Sequence, residues 1–289
     1  EVKPYQFHLF ESRREVLYGE KIQQELLITN AFKHDENFPY IKVNKSSKGK
    51  SVKESDIKIP NESVLSGKEK QYLISLPTNK TEYTVLKLFE QWTNRLDKNG
   101  IKISTGQVVK FRNKEYLQPY SFVDSYPLFH TRHIKNGQVI FPIQKEEQGL
   151  RKSSSKESLI LPSNNYILLK RISSKEQKKR IECAPYLGRC YDFQNICLDD
   201  HLNYIYKKNG NLKEEEVIGL TAFFNSYLVD VYFRVNNGNT QVNAYDIQNM
   251  PMPEYEFIVN LGKKLILNML TNDNIDSYLL SEFNLQGVK

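Results

Sequence analysis

Cysteine, long apolar runs and the short motifs of the common enzyme chemistries are all scarce in this sequence. Three cysteines, Cys183, Cys190 and Cys197, stand with six residues between neighbours. An odd count at that spacing suits neither a disulfide framework nor a zinc-ligand set, so reduced thiols are expected. No run approaches the roughly 20 apolar residues that span a bilayer, and nothing at the start resembles a signal peptide. The expected location is therefore cytoplasmic. A Gly-rich phosphate loop, a GxSxG elbow and an HExxH pair are each missing, which counts against nucleotide-using or hydrolytic enzymes of the standard types. No catalytic residue and no metal ligand is assigned. The first residue is Glu1 rather than an initiator methionine, which reads as an excised part of a longer chain.

What is present suffices for a real core. With 289 residues and 39% hydrophobic content, the chain has room for one large or two ordinary domains. Lysine plus arginine reach 41 against 34 acidic residues, a net charge of +7 with a pI near 9.0, and that balance favours a polyanionic partner. Eighteen tyrosines and fifteen phenylalanines suit base stacking beside phosphate contacts, although most such rings serve packing.

Residues 6–10 (QFHLF) and 22–32 (IQQELLITNAF) read as two strands of a hairpin or sheet edge. Residues 34–76 read as a linker or exposed extension. From Asn79, with Glu82 three positions on, a helix is expected whose Val85, Leu88, Phe89, Trp92 and Leu96 share one face and which stops at Asn99 and Gly100. Strands follow at 101–111, 126–133, 138–143 and 166–172, with Asn136 and Gly137 as a hairpin turn. Residues 151–158 (RKSSSKES) read as a mobile loop. Asn211 is the expected cap of a helix bearing Val217, Leu220, Phe224, Leu228 and Val231, broken at Ser226, and a last amphipathic helix carries Phe257, Leu261, Leu265 and Met269.

Between these helices lies a polar loop, Asn236, Asn237, Gly238, Asn239, Thr240 and Gln241, that ends near Pro251 and Pro253. Amides and a hydroxyl, with Gly238 able to take positive φ, make a hydrogen-bonding edge. The same composition also makes an ordinary helix-capping turn. His130 and His133, read on a strand, face opposite sides and do not form a metal pair. Asp199 and Asp200 beside His201 read as solvated or capping acids. Asp56, Ile57 and Lys58 match half of a carboxylate-lysine nuclease signature, a short pattern that any lysine-rich chain produces. The basic residues form a longer series: Lys110 and Arg112, then Arg132, His133 and Lys135, then Lys170, Arg171, Lys175, Lys178, Lys179 and Arg180. Lysine and arginine neutralise phosphates, whereas selection of a sequence needs bidentate Arg, Asn or Gln against base edges.

Several segments in order, FHLFESRREV, IQQELLI, GIKISTGQVVKFR, YILLKRISSKEQKKRI, DDHLNYI and GLTAFFNSYLVDVYFRVNNGNTQVNAYDIQNMPMP, resemble the C-terminal half of adenine-specific DNA methyltransferases of bacterial restriction-modification systems. The resemblance runs from Phe7 to about Gly262, with gaps at 38–71 and 146–158. The closing segment is also similar to the ends of recognition domains in type I specificity subunits. In the methyltransferases a Rossmann-like domain binds S-adenosylmethionine, and an Asn/Asp-Pro-Pro-Tyr motif holds the flipped adenine.

Neither of those parts is found in this sequence, so the resemblance implies a chain that starts after the chemistry and is inactive alone. It implies no cofactor in this chain and S-adenosylmethionine for the complete enzyme. The implied partners are double-stranded DNA and the missing catalytic domain, since an enzyme that flips one base needs a separate module to read its neighbours. The fold class expected is α+β: the last strands of a methyltransferase sheet at 1–35, a linker and helix at 36–100, and a β-rich target-recognition core with a C-terminal helical cap at 101–289. Lys110, Arg112, Arg132, Lys170 and Arg171 are the candidate phosphate contacts. Thr105, Asn239, Thr240, Gln241 and Asn243 would contact bases, position the reading loop, or tie the helices to the β-core. Two other readings stay open, a metal-dependent nuclease domain and a subunit-docking module.

Overall fold

The computed structural model describes residues 3–10, 26–33, 38–46, 53–66, 73–144, 147–154, 156–285 and 287. They divide between two compact units, one of Glu1–Gln91, Val231–Thr240 and Leu280–Lys289, the other of Trp92–Asp230 and Gln241–Leu279.

In the first unit, four strands lie in the order Leu27–Phe32, Lys3–Phe10, Tyr40–Ser46, Lys53–Pro60. The inner pair is parallel and both outer pairs are antiparallel. Alternation along the strands sends Phe7, Ile41, Val43 and Ile59 into one core with Val64 and Leu76. The reading of 34–76 as a linker is corrected here. In YIKVNKS and DIKIP only every second residue must be apolar, and Lys42 and Lys58 at the other places dilute the signal. The expected pairing of the opening strands is present between Lys3–Phe10 and Leu27–Phe32, while residues 22–25 lie outside those described.

The helix Lys80–Gln91 begins where expected: Asn79 Oδ1 accepts the Glu82 N–H at 2.9 Å, and Val85, Leu86, Leu88 and Phe89 are buried. Phe89 stacks on Tyr232 with ring centroids 4.1 Å apart. The helix stops at Gln91, short of the expected end. Trp92 and Leu96 continue its periodicity by coincidence, since both belong to the second unit, where Trp92 meets Phe223 and Leu96 leads into the short turn Asp97–Asn99.

The second unit is a β-core. Cys183–Tyr186, Tyr166–Lys170, Leu202–Lys207 and Ile101–Thr105 form an antiparallel sheet in that order. A five-stranded sheet, in the order Leu161–Pro162, Asn195–Leu198, Ser125–Phe129, Gly149–Arg151, Leu117–Gln118, shares its core through Phe129, Ile196 and Leu198 against Tyr166, Leu168, Tyr186 and Tyr204. Tyr166–Lys170 (YILLK) is a continuous apolar run because the helix Glu214–Phe224 packs on the other face, where Cys183 Sγ reaches the Thr221 carbonyl at 3.6 Å. Asn136 (φ 50°) and Gly137 (φ 73°) make the expected hairpin turn between Ile134–Lys135 and Gln138–Val139. His130 and His133 do not face apart, however. His130 caps and His133 ends the 3₁₀ turn Thr131–His133, with ring centroids 4.2 Å apart, and His133 Nδ1 accepts the His130 N–H. Where a loop was expected at 151–158, the described residues form short turns at Lys152–Ser154 and Glu157–Leu159; Ser155 is outside the described residues.

The helical cap follows. Ser226 separates Glu214–Phe224 from Tyr227–Asn236 as expected, its hydroxyl accepting the Val229 N–H. Asn211 is not the cap of the first of these: its Oδ1 accepts from Asn165 N, and Glu216 caps Lys213 N instead at 2.6 Å. Tyr255–Ile266 crosses Glu214–Phe224 at two glycines, and a Cβ on Gly219 or Gly262 would overlap the carbonyl of Ile258 or Glu215. Met269 lies past the end of that helix and is exposed, and one more helix, Ile275–Glu282, follows. The α+β class with C-terminal helices is thus the observed one. Among the described residues no helix is long and apolar enough to cross a membrane.

Candidate nucleic-acid interface

One short segment, residues 199–203, gathers most of the basic and amide candidates at one end of the four-stranded sheet of the second unit. The chain leaving Ile101–Thr105 runs beside it: Gly106 N donates to Leu202 O at 2.8 Å, Val108 N to Leu198 O at 2.9 Å, and Asp200 N to Val108 O at 3.0 Å. Gly106 permits this approach, because a Cβ there would overlap the Asp199 carbonyl. Asp199 N donates to Phe129 O, which places the start of the Arg132 turn against the same segment. Arg171 N donates to His201 O, and one guanidinium nitrogen of Arg171 donates to Asp200 O, each at 2.9 Å.

At the centre is Asn203, fully buried. Its Oδ1 accepts from the Thr105 hydroxyl at 2.9 Å, and its Nδ2 donates to Val242 O at 2.7 Å. Val242 N donates to Arg171 O, and Gln241 forms an antiparallel bridge with Ile172. The segment 241–243 is therefore stitched to the sheet end by its backbone, which leaves the Gln241 side chain exposed. Asn243 Nδ2 reaches Asp246 Oδ2 at 3.2 Å at the start of the helix Ala244–Gln248.

The electrostatics of this end are mixed. Asp199 is 2% exposed; its Oδ1 accepts the His201 N–H and lies 2.9 Å from His201 Nδ1, while its Oδ2 stands 3.8 Å from Lys110 Nζ. Asp200 Oδ1 is 3.0 Å from His201 Nδ1. Of the two expected alternatives, solvated or capping, Asp199 takes the second by accepting the His201 N–H, and its other oxygen faces Lys110. Burial, then the nearby charges of His133, Lys110 and Arg132, push the pKa of His130 down to about 3. His130 is thus a neutral ring within range of two of the candidate phosphate contacts.

Of the expected site residues, the structure brings Thr105, Lys110, Arg132, Arg171, Gln241 and Asn243 to this end. Arg112 sits one residue past Phe111 in the turn Lys110–Arg112 and is exposed, its guanidinium 5.4 Å from the Phe111 ring centroid. Lys170 is engaged elsewhere, with Nζ 2.7 Å from Glu182 Oε1. Asn239 and Thr240 fall with the first unit, where Asn239 N donates to Asn237 Oδ1 at 2.9 Å. The polar loop is thus split between the units, and Gly238 is not among the glycines with positive φ.

The chain is 26% identical over 274 residues to the type II methyltransferase M.PstI of Providencia stuartii, a match covering 94% of this chain and 54% of that protein. It is 29% identical over 263 residues to the type II methyltransferase M.BsuBI of Bacillus subtilis, covering 91% of this chain and 52% of that protein. The chain is a relative of type II methyltransferases. It spans about half the length of these curated relatives. The resemblance to restriction-modification methyltransferases expected from the sequence is borne out by them. No family model matches. A solved chain from a study of complex assembly and conformational transition in the type I R-M system aligns with a TM-score of 0.35 at 12% identity, over 72% of this chain and 48% of that one. That overlap is too slight to carry an argument.

Sequence reasoning missed Asn203, Asp199 as the anchor of Lys110, and Gln248, whose side chain accepts from Ile103 N and donates to Ile101 O along the sheet edge. An asparagine inside the apolar run LNYIY was the available signal for Asn203, since an amide on an inner strand needs partners for both ends.

Proposed function

We propose that this chain is the target-recognition part of an adenine-specific DNA methyltransferase of a restriction-modification system, and that its second unit binds double-stranded DNA in a sequence-specific manner. The observation that carries this reading is that Lys110 and Arg171 meet the segment 199–203, to which Asn203 also ties the backbone beside Gln241, with Arg132 close to His130 next to Lys110. Lys110, Arg112, Arg132 and Arg171 hold phosphates. Gln241 offers a side chain to base edges from a backbone already fixed to the sheet. Thr105 acts by bracing Asn203, and Asn243 by opening the helix Ala244–Gln248. Asn239 and Thr240 have a role in closing the module, and Lys170, paired with Glu182, is a weaker phosphate contact than its neighbours.

S-adenosylmethionine and methyl transfer are assigned to the remaining part of a protein of the relatives' length. In the first unit's sheet the Gln6 side chain is committed to both Asn44 and Asn30. No observation favours the nuclease reading: Asp56 pairs with Lys42 at 3.0 Å, and the group of three potential metal ligands found among the described residues is Asp199, Asp200 and His201 rather than a set around Lys58.

The test is duplex binding measured against salt. Arg112→Ala is expected to lower the salt slope by about one unit, as for one phosphate contact, while Gln241→Ala weakens only the preferred sequence. Absence of any salt-dependent affinity for duplex DNA would leave the subunit-docking module as the better reading.

A further inference from the structure

Phe111 is the most exposed large hydrophobic residue among those described, at 78%. Its mounting is well hydrogen-bonded. The turn Lys110–Arg112 is closed by Arg112 N and Asn113 N donating to Val109 O, and by Asn113 Nδ2 donating to the same carbonyl at 2.8 Å. Val108, three residues before, is fully buried and bridged to Asp199. The ring is therefore held out by a braced turn with one cation on each side, Lys110 anchored near Asp199 and Arg112 beside the ring itself. A single exposed apolar side chain is ordinary on a protein surface. An aromatic ring fixed between two phosphate-binding cations is a different arrangement, because the charges that draw the backbone of a polyanion in also bring its bases to the ring.

We propose that Phe111 is a wedge that enters the DNA duplex between the phosphates held by Lys110 and Arg112 and unstacks one base step. The inference rests on the DNA-binding reading above and adds a specific act to it. Apolar side chains set between base steps unstack them at a cost that falls when the step is already disrupted, and an aromatic ring recovers part of that cost by stacking on the exposed base. Lys110 and Arg112 supply the sequence-independent attraction, and Phe111 supplies the local opening.

The experiment uses the whole chain and two probes, a mixed-sequence duplex oligonucleotide and the same duplex carrying one abasic site. The parent chain is expected to bind the abasic duplex roughly tenfold more tightly, because the opening is already made. Phe111→Ala is expected to abolish that preference while keeping the parent's salt slope, since no charge changes, and Phe111→Trp to retain the preference. A parent with salt-dependent duplex binding but no preference for the abasic duplex, or a preference that survives in Phe111→Ala, overturns the wedge and leaves the DNA-binding reading intact. A parent with no salt-dependent duplex binding overturns both.

Discussion

Asn44 and Asn203 are both fully buried on inner strands of four-stranded sheets, one in each unit, and they are used in opposite ways. Asn203 has both ends of its amide engaged, one by the Thr105 hydroxyl and one by the Val242 carbonyl, so it ties two strands to a crossing segment. Asn44 accepts from Gln6 Nε2 at 2.5 Å, while its own Nδ2 finds no hydrogen-bond partner among the described residues. A buried amide is costly only to the extent that its partners, or those it leaves behind, go unpaired. The second unit has built its asparagine into a junction. The first carries one as part of a polar ladder, Asn30 to Gln6 to Asn44, across the sheet.

The comparison breaks most sharply in the second unit. Its four-stranded sheet is closed on one face by the helix Glu214–Phe224, which in turn is held by Tyr255–Ile266 through the backbone contact at Gly219 and Gly262. Gly219→Ala forces backbone apart from backbone and is expected to cost about 3 kcal/mol, read as a lower urea midpoint. A loss no larger than that of an exposed Gly→Ala change would show that the helices separate freely and that the cover is loose. Asn203→Leu comes next, at about 2 kcal/mol, because a near-isosteric replacement leaves the Val242 carbonyl buried without its donor and Thr105 without its acceptor. It should also weaken duplex binding, since the segment 241–243 loses its tie. Unchanged stability would mean that the junction is not what holds that segment.

How much of this was legible in the sequence follows from how local each signal is. The Asn136-Gly137 hairpin, the Asn79 cap and the break at Ser226 depend on residues a few positions apart, and all three stand where the pattern placed them. The strands Tyr40–Ser46 and Lys53–Pro60 were hidden because one sheet face tolerates lysine. Trp92 and Leu96 kept helical spacing after the helix had ended, so periodicity ran past the boundary between the units. At the candidate site, charge clustering singled out Lys110, Arg132 and Arg171, but no spacing rule shows that residues 199–203 bring Lys110 and Arg171 together. That depends on Gly106 and Asn203 making contacts over long stretches of chain, and the polar loop, which looked like one feature, divides at Thr240.

His130 offers a third kind of buried polar group, one whose cost is set by pH. Its ring is driven to a folded-state pKa of about 3 by burial and by His133, Lys110 and Arg132, against an ordinary value of 6.5. The unfolded chain therefore takes up a proton that the folded chain refuses. The stability this refusal protects is complete above pH 6.5 and is lost as the pH falls from there toward 3. His130→Phe is expected to flatten the fall in unfolding free energy between pH 6.5 and pH 4.5, a window lying above the usual carboxylate range. An equal fall in parent and variant would place the acid sensitivity elsewhere.

The smallest expected effect is the one that tests the comparison most directly. Asn44→Leu removes an amide whose donor end is already unpaired, and it leaves Gln6, which is half-buried and still bonded to Asn30, able to turn toward water. Alternation puts position 44 on the sheet face opposite Ile41, Val43 and Ile59, so leucine there leaves that core undisturbed. The cost is expected to stay under about 1 kcal/mol, and a gain in stability is consistent with the same argument. Measured by urea unfolding beside Asn203→Leu, the same substitution at the same burial then gives two different answers, because one amide closes a junction and the other does not. A loss at Asn44 as large as that at Asn203 would mean that burial alone sets the cost, and the distinction between ladder and junction would fall.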